Sequence, residues 1–280
     1  MEGRRMKGKV LLPLDASEAS RRAFIPAKSI AEHLEMNLCI LYISEEEVSI
    51  EDLLCKLQIN TAELKDFVAY HRTGAPEKII VEESESCDYI VMGTHGQTCD
   101  ETKRMGSVTN SVIESTSKPI LLFKPSGSCL KIENGRWMPQ KILIPVSSEP
   151  YTSFSYEPAI RIIAGTSAHI DILHVYNPED KTITQGEVFS APYYEDYPQH
   201  EWSSWAKEFL KRTCPEMKNN FKIKVSLSCG EPAEEIVKFA ENNGSELIVV
   251  VWHGSFAQTR AKVLKTLLSE TDCPIMLMRA

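Results

Sequence analysis

The sequence predicts two α/β domains in tandem, each a parallel sheet flanked by helices, and two observations predict it. The chain repeats itself. Lys9–Leu14 (KVLLPL) reads like Lys141–Val146 (KILIPV), Gly74-Ala75-Pro76 like Gly230-Glu231-Pro232, and Ser117–Leu121 like Asp272–Met276. Within each copy, short apolar runs alternate with longer stretches of helical spacing. Strands buried on both faces and joined by helical crossovers build parallel sheets. A chain of 280 residues holds two copies of ordinary domain size.

Lys9–Leu14 is continuously apolar and reads as a strand buried on both faces. Ser17 to Met36 has helical spacing, with Ser17 as candidate N-cap; Pro26 inside it should kink or break the helix. Leu38–Ile43 reads as the second strand, Ser49–Leu57 as a helix and Phe67–Arg72 as the third strand. Gly74-Ala75-Pro76 turns into a helix to about Ser84, with Pro76 at its first position. Tyr89–Met92 is the fourth strand, Gly106–Ser115 a helix and Ile120–Phe123 the fifth strand. Pro125, Gly127, Gly135 and Pro139 mark a linker. The expected domains are 1–125 and 140–280, with the linker at 126–139. The second copy repeats the order, with strands near 141–146, 169–176, 222–227, 246–252 and 274–279. The spacing between matching residues widens between the pair Tyr42/His174 and the pair Gly74/Gly230, so the second copy carries an insertion there. Its aromatic part, 183–205, holds Phe189, Tyr193, Tyr194, Tyr197, Trp202 and Trp205; packing on its own domain is the first expectation, a ligand lid or protein contact the alternative.

Composition excludes several classes. No apolar run reaches the length of a membrane span, and the basic N-terminus, Met1–Gly8, lacks a secretory core and cleavage site. A cytoplasmic protein without membrane contact is expected. The net charge of −8 is wrong for a general nucleic-acid binder, which needs a basic face. The eight cysteines are scattered with no C-x-x-C pair, so neither a zinc site nor a dithiol redox centre is expected.

The chemistry gathers at the end of the fourth strand: Val91-Met92-Gly93-Thr94-His95-Gly96, nine residues, then Gly106-Ser107-Val108. Gly93 and Gly96 let backbone turn tightly and approach a ligand with no Cβ in the way. Gly106 and Ser107 open a helix whose free N–H groups and positive end favour an anion. Asp15 ends the first strand. Ligands in doubly wound sheets sit beyond the carboxyl ends where strand order reverses, and a carboxylate there suits ribose hydroxyls. Plain structural roles exist for each residue: turn glycines at 93 and 96, a helix or turn cap at Asp15, an N-cap at Ser107. The conjunction is what points to a ligand.

With these residues the chain resembles the universal stress protein family in its tandem form. The family pattern G-x-x-G, nine residues, G-S/T is met by Gly93, Gly96, Gly106 and Ser107, and Leu12–Glu18 (LPLDASE) looks like the family's opening. The resemblance covers nearly the whole chain. It implies two Rossmann-like domains, each with five parallel strands in the order 3-2-1-4-5, packed as a pseudo-dimer along their fifth strands. It also implies a site for ATP, ADP or AMP, with or without magnesium. Asp15 would hold ribose, the backbone at Ile43 would read adenine, and Gly93, Gly96, Gly106, Ser107 and Val108 would hold phosphates, with Pro13 and Met92 alongside. It leaves open further assembly into homodimers.

The chain departs from the pattern in places. Asp100 and Glu101 lie inside the phosphate loop and would repel a triphosphate, with Lys103 and Arg104 to offset them. In the second copy Ser147 replaces Asp15, Val251 replaces Gly93, and Ala261-Lys262 stands where Gly106-Ser107 would be, so that copy is expected not to bind by this route. His95 has no recognisable acid partner in sequence and reads as a loop residue. No catalytic residue or metal-ligand set stands out, and there is no G-x-x-x-x-G-K-S/T loop, G-x-G-x-x-G fingerprint or H-E-x-x-H helix. The expectation is a nucleotide-binding regulator or sensor with at most slow hydrolysis. The alternative is a nucleotide-free scaffold that uses the pseudo-dimer surface and the aromatic insertion.

Overall fold

Ten apolar runs become ten strands of one sheet. The computed structural model describes residues 7–15, 17–45, 49–56, 59, 64, 66–96, 105–125, 129–146, 156–176, 221–252 and 261–279. The first copy runs β1 (Lys9–Leu14), α1 (Glu18–His33), β2 (Asn37–Ile43), α2 (Ile50–Lys56), β3 (Phe67–Arg72), α3 (Pro76–Ser84), β4 (Tyr89–Gly93), α4 (Ser107–Ser115) and β5 (Ile120–Phe123). The second runs β6 (Lys141–Val146), α5 (Glu157–Ile162), β7 (His169–Tyr176), β8 (Lys222–Cys229), α6 (Pro232–Asn243), β9 (Leu247–Trp252), α7 (Ala261–Glu270) and β10 (Ile275–Arg279). The aromatic insertion, Asp100, Glu101, Lys103, Arg104 and Ser147 lie outside the described residues.

The sheet order is β3-β2-β1-β4-β5-β10-β9-β6-β7-β8. Each half is parallel throughout and has the expected 3-2-1-4-5 order. The halves join where β5 and β10 pair antiparallel, Leu121 opposite Met276. This seam covers two strand edges that would otherwise stand open. Every residue of β4 and β5 is buried, while β3 and β8, at the outer edges, are partly exposed. Side chains alternate across the pleat. Val10, Leu12 and Leu14 pack under α1, Leu11 packs on the opposite face, and both apolar cores run across the two copies.

Ser17 caps α1 as expected, its Oγ accepting from the Ser20 amide at 3.1 Å. The break expected at Pro26 is not found: α1 is continuous from Glu18 to His33. Pro26 lies buried on the same face as Ala23, Ala27 and Ile30. Packing of that face outweighs the amide hydrogen bond that proline forgoes. Pro76 opens α3 at its first turn, as its fixed φ favours.

The proline- and glycine-marked segment between the copies is ordered where it is described. Trp137 is 1% exposed. It stands edge-on to Phe123 with ring centroids 5.4 Å apart, and its amide donates to Ser29 Oγ on α1 at 2.9 Å. Lys131 pairs with Glu246 at 2.6 Å, and the same carboxylate accepts from the Gln140 amide at 2.6 Å. Across the seam, Lys124 Nζ donates to the Ser269 carbonyl at 2.8 Å and Tyr89 Oη to the Pro158 carbonyl at 3.0 Å. Burial lowers the Lys124 amine from its ordinary value. Among the described residues no helix is long and apolar enough to cross a membrane, and the described cysteines are free thiols.

Trp137→Ala should leave a cavity under α1 and lower stability by about 3–5 kcal/mol, read as a shift of the urea midpoint. A loss below about 1 kcal/mol would mean that the segment is not part of the core.

Candidate functional site

Strand order reverses between β1 and β4. The helix that follows β1 leads away on one face and the helix that follows β4 on the other. A crevice is left beyond the carboxyl ends of the two strands. β1 and β4 are direct neighbours, Val10 opposite Tyr89 and Leu11 opposite Ile90, so Asp15 after the one meets the glycine loop after the other.

The contact is close. Asp15 Oδ1 accepts from the Ser17 amide at 3.0 Å, an Asx turn that orients the carboxylate. Its other oxygen, Oδ2, lies 2.7 Å from where a Cβ on residue 96 would stand. Only a residue without a side chain lets the carboxylate rest there. Ser17 Oγ donates to the His95 carbonyl at 3.2 Å and ties the start of α1 to the loop. His95 Nδ1 and Thr94 Oγ1 are hydrogen-bonded at 2.7 Å.

Gly93 is glycine for a reason the sequence did not reveal. A Cβ there would lie 2.7 Å from Ala19 Cβ, 2.8 Å from Ala19 C and 2.9 Å from Ser20 N. Its bareness lets α1 press on β4, a packing demand on a residue that also lines the cavity described below. The chain bends at Thr94 and His95, between the two glycines, and neither glycine lies in the left-handed region.

α4 begins at the same place. The Gly106 amide donates to the Thr94 carbonyl at 2.9 Å, and Thr109 Oγ1 donates to the Gly93 carbonyl at 3.1 Å. The N-cap is Gly106, with φ −67° and ψ 147°, and among the described residues no side chain caps the helix. α1 nearby has its serine cap. The first turn of α4 therefore offers backbone N–H groups and the positive end of the helix dipole to whatever lies before it. Among the described residues the atoms nearest an added Cβ at Gly106 are the Thr94 carbonyl at 3.4 Å, Gly96 N at 3.7 Å and His95 Cα at 3.8 Å. Neither fold nor backbone angle requires glycine there.

These elements enclose a cavity of about 920 Å³, the size of a small-molecule site. All nine residues singled out from the sequence line it: Pro13, Asp15, Ile43, Met92, Gly93, Gly96, Gly106, Ser107 and Val108. Sequence reasoning missed the apolar wall of Leu41, Pro76, Ile80 and Met105, and the polar Ser20, Thr109 and Asn110. Pro76 and Ile80 were within reach, because α3 also starts beside the carboxyl ends. It further missed Lys265 and Leu268, which come from the second copy. Among the described residues no group of three His, Cys, Asp or Glu side chains is placed to hold a metal ion.

The second copy keeps the frame and changes the site. Ile142 pairs with Leu247 and Leu143 with Ile248 as Val10 and Leu11 pair with Tyr89 and Ile90. The register therefore sets Val251 at the place of Gly93. Thr116 and Thr271 close α4 and α7 alike, each Oγ1 accepting at 3.1 Å from the amide two residues on. Counting back from them puts Ala261-Lys262 at the place of Gly106-Ser107. Lys262 pairs with Glu231 at 3.1 Å, so an ion pair stands where the first copy has an uncapped helix start.

The universal stress protein family model matches residues 6–124 and again residues 138–279. A universal stress protein of Methanocaldococcus jannaschii is 32% identical over 99 residues, 35% of this chain and 59% of that protein, less than two thirds of its length. The crystal structure of a universal stress protein from Archaeoglobus fulgidus covers 97% of this chain and 98% of its own at 16% identity, with a TM-score of 0.63, so the two share a fold. A universal stress protein family protein of Arabidopsis thaliana, solved with AMP bound, covers 50% of this chain and 92% of its own at 18% identity and a TM-score of 0.31. With two consecutive family matches that take up most of its length, the chain belongs to the universal stress protein family, as a tandem of two copies.

Proposed function

We propose that the first copy binds one adenine nucleotide, that the second binds none by the same route, and that the protein acts as a ligand-responsive regulator in a stress response. The observation that carries this reading is the contact of the Asp15 carboxylate with the bare backbone of Gly96, beside an uncapped helix start on a cavity large enough for a nucleotide. AMP is the ligand of the Arabidopsis protein; for this chain the case stands on its own residues.

Each part of the cavity suits one part of the ligand. Asp15 offers two acceptor oxygens, the chemistry that ribose hydroxyls need. Pro13, Leu41 and Ile43 form an apolar slot for a flat base, with the Ile43 backbone to read its polar edge. The first turn of α4 supplies N–H donors and Ser107 a hydroxyl for phosphate oxygens. Gly106, which the fold does not require to be glycine, keeps that approach clear. ATP, ADP and AMP all fit this description, and magnesium would travel with the phosphates of a triphosphate. In the second copy Val251 stands where Gly93 lets helix and strand close together, and Ala261 and the Lys262–Glu231 pair occupy the helix start that the first copy leaves clear.

The glycines give a test that separates site from scaffold. Gly96→Ala meets only the movable end of Asp15, so it should push the carboxylate aside and weaken ATP or AMP binding about tenfold. Stability should change by less than about 0.5 kcal/mol. Gly93→Ala meets backbone and should cost about 1–3 kcal/mol of stability with or without ligand. Calorimetric titration and urea denaturation read the two effects; unchanged affinity in Gly96→Ala would count against the site.

Gly106→Val and Asp15→Asn extend the test. The valine fills the approach to α4 and should abolish phosphate-dependent binding. The asparagine keeps an acceptor for the Ser17 amide but loses the charge, and should weaken adenosine itself about tenfold. Adenosine binding equal to wild type in Asp15→Asn would remove Asp15 from the ribose role.

A further inference from the structure

The cavity assigned to the first copy is walled in part by the second. Lys265 and Leu268 lie on α7 and line the same cavity as Ser107 and Asn110 of α4. The seam brings them there. Because β5 and β10 are antiparallel, the helices that feed them run in opposite senses along the same face of the sheet. The last turns of α7 thus reach the end of the cavity where α4 begins. The hydrogen bond from Lys124, just after β5, to the Ser269 carbonyl fixes that end of α7. Leu268 is 2% exposed and anchors the helix in the core, while Lys265, one turn earlier, is exposed.

Charge gives this placement meaning. The protein carries a net charge of −8, and its cavity holds the Asp15 carboxylate, so an anionic ligand needs a local counter-charge. Among the described residues that line the cavity, Lys265 is the one lysine or arginine. Counting back from Thr116 and Thr271 places it at the position of Asn110 in the first copy. The second copy thus carries an ammonium where the first has an amide.

We propose that Lys265 is a ligand-binding residue of the first copy's site, its ammonium pairing with the phosphate oxygens of the nucleotide, so that the second copy completes the site instead of duplicating it. The inference rests on the nucleotide reading above and adds to it a residue from the half that has lost the motif. The ammonium is a compact charge on a flexible stem and can follow phosphates of different number. The pair stays open to water, so salt screens it.

The test is calorimetric titration of the full chain, as wild type, Lys265→Gln and Lys265→Arg, with ATP and with adenosine at low and at physiological salt. Lys265→Gln should weaken ATP about tenfold at low salt, the loss of one charge-assisted hydrogen bond, and less at higher salt. Adenosine should change by less than about twofold, and Lys265→Arg should recover most of the ATP affinity. If wild type binds ATP and Lys265→Gln binds it equally well, or if ATP and adenosine weaken together, the inference is overturned while the nucleotide reading stands. If wild type binds neither ligand, both are overturned.

Discussion

The site depends on how closely two pieces of backbone approach where strand order reverses. Gly93 lets the start of α1 press on β4, with Ala19 and Ser20 within 3 Å of where a side chain would begin. That pressure sets the Asp15 turn against the loop after β4, where Gly96 leaves room for the carboxylate. Bulk at Gly93 would part helix and strand, and bulk at Gly96 would displace the carboxylate. The Asx turn to Ser17, the hydrogen bond from Ser17 to the His95 carbonyl, and the bond from Gly106 to Thr94 then fix the rim. A carboxylate and a helix N-terminus, one acceptor and one donor of hydrogen bonds, come to face a common space because the strands that carry them are neighbours.

Much of this could be read in the sequence because it is local. A strand buried on both faces must be apolar along its length, so Lys9–Leu14 and Tyr89–Met92 announced themselves. Ser17 before α1 and Pro76 at the start of α3 marked helix starts by their own chemistry. The strand order, the joining of the fifth strands and the gathering of Asp15, Gly96, Gly106 and Ser107 around one cavity followed from the repeat and the family resemblance. What escaped is what depends on distant partners. Pro26 looked like a helix breaker because the core it packs into is not visible in its neighbours. Gly93 looked like a loop glycine because the helix that excludes its side chain lies more than seventy residues earlier. Lys265 carries no local signal; only the antiparallel seam brings it to the other copy's cavity.

The two copies share a fold and differ where the first has its cavity. Their strands share one register at the β1–β4 and β6–β9 junctions, and the same threonine closes the last helix of each. These features rest on apolar burial and backbone hydrogen bonding, which tolerate many side chains. The proposed site rests on absent side chains at a few positions and one carboxylate, and the second copy has a valine and an ion pair at matching places. The second copy supplies half of one continuous sheet and shares both apolar cores.

Copies that share a fold are proposed to differ in binding. Equilibrium dialysis of the full chain against saturating radiolabelled ATP, with and without magnesium, counts the sites directly. One nucleotide per chain is the predicted result. Two would show that the second copy binds despite Val251 and the Lys262–Glu231 pair, and none under either condition would show that the space between Asp15 and α4 is not a nucleotide site.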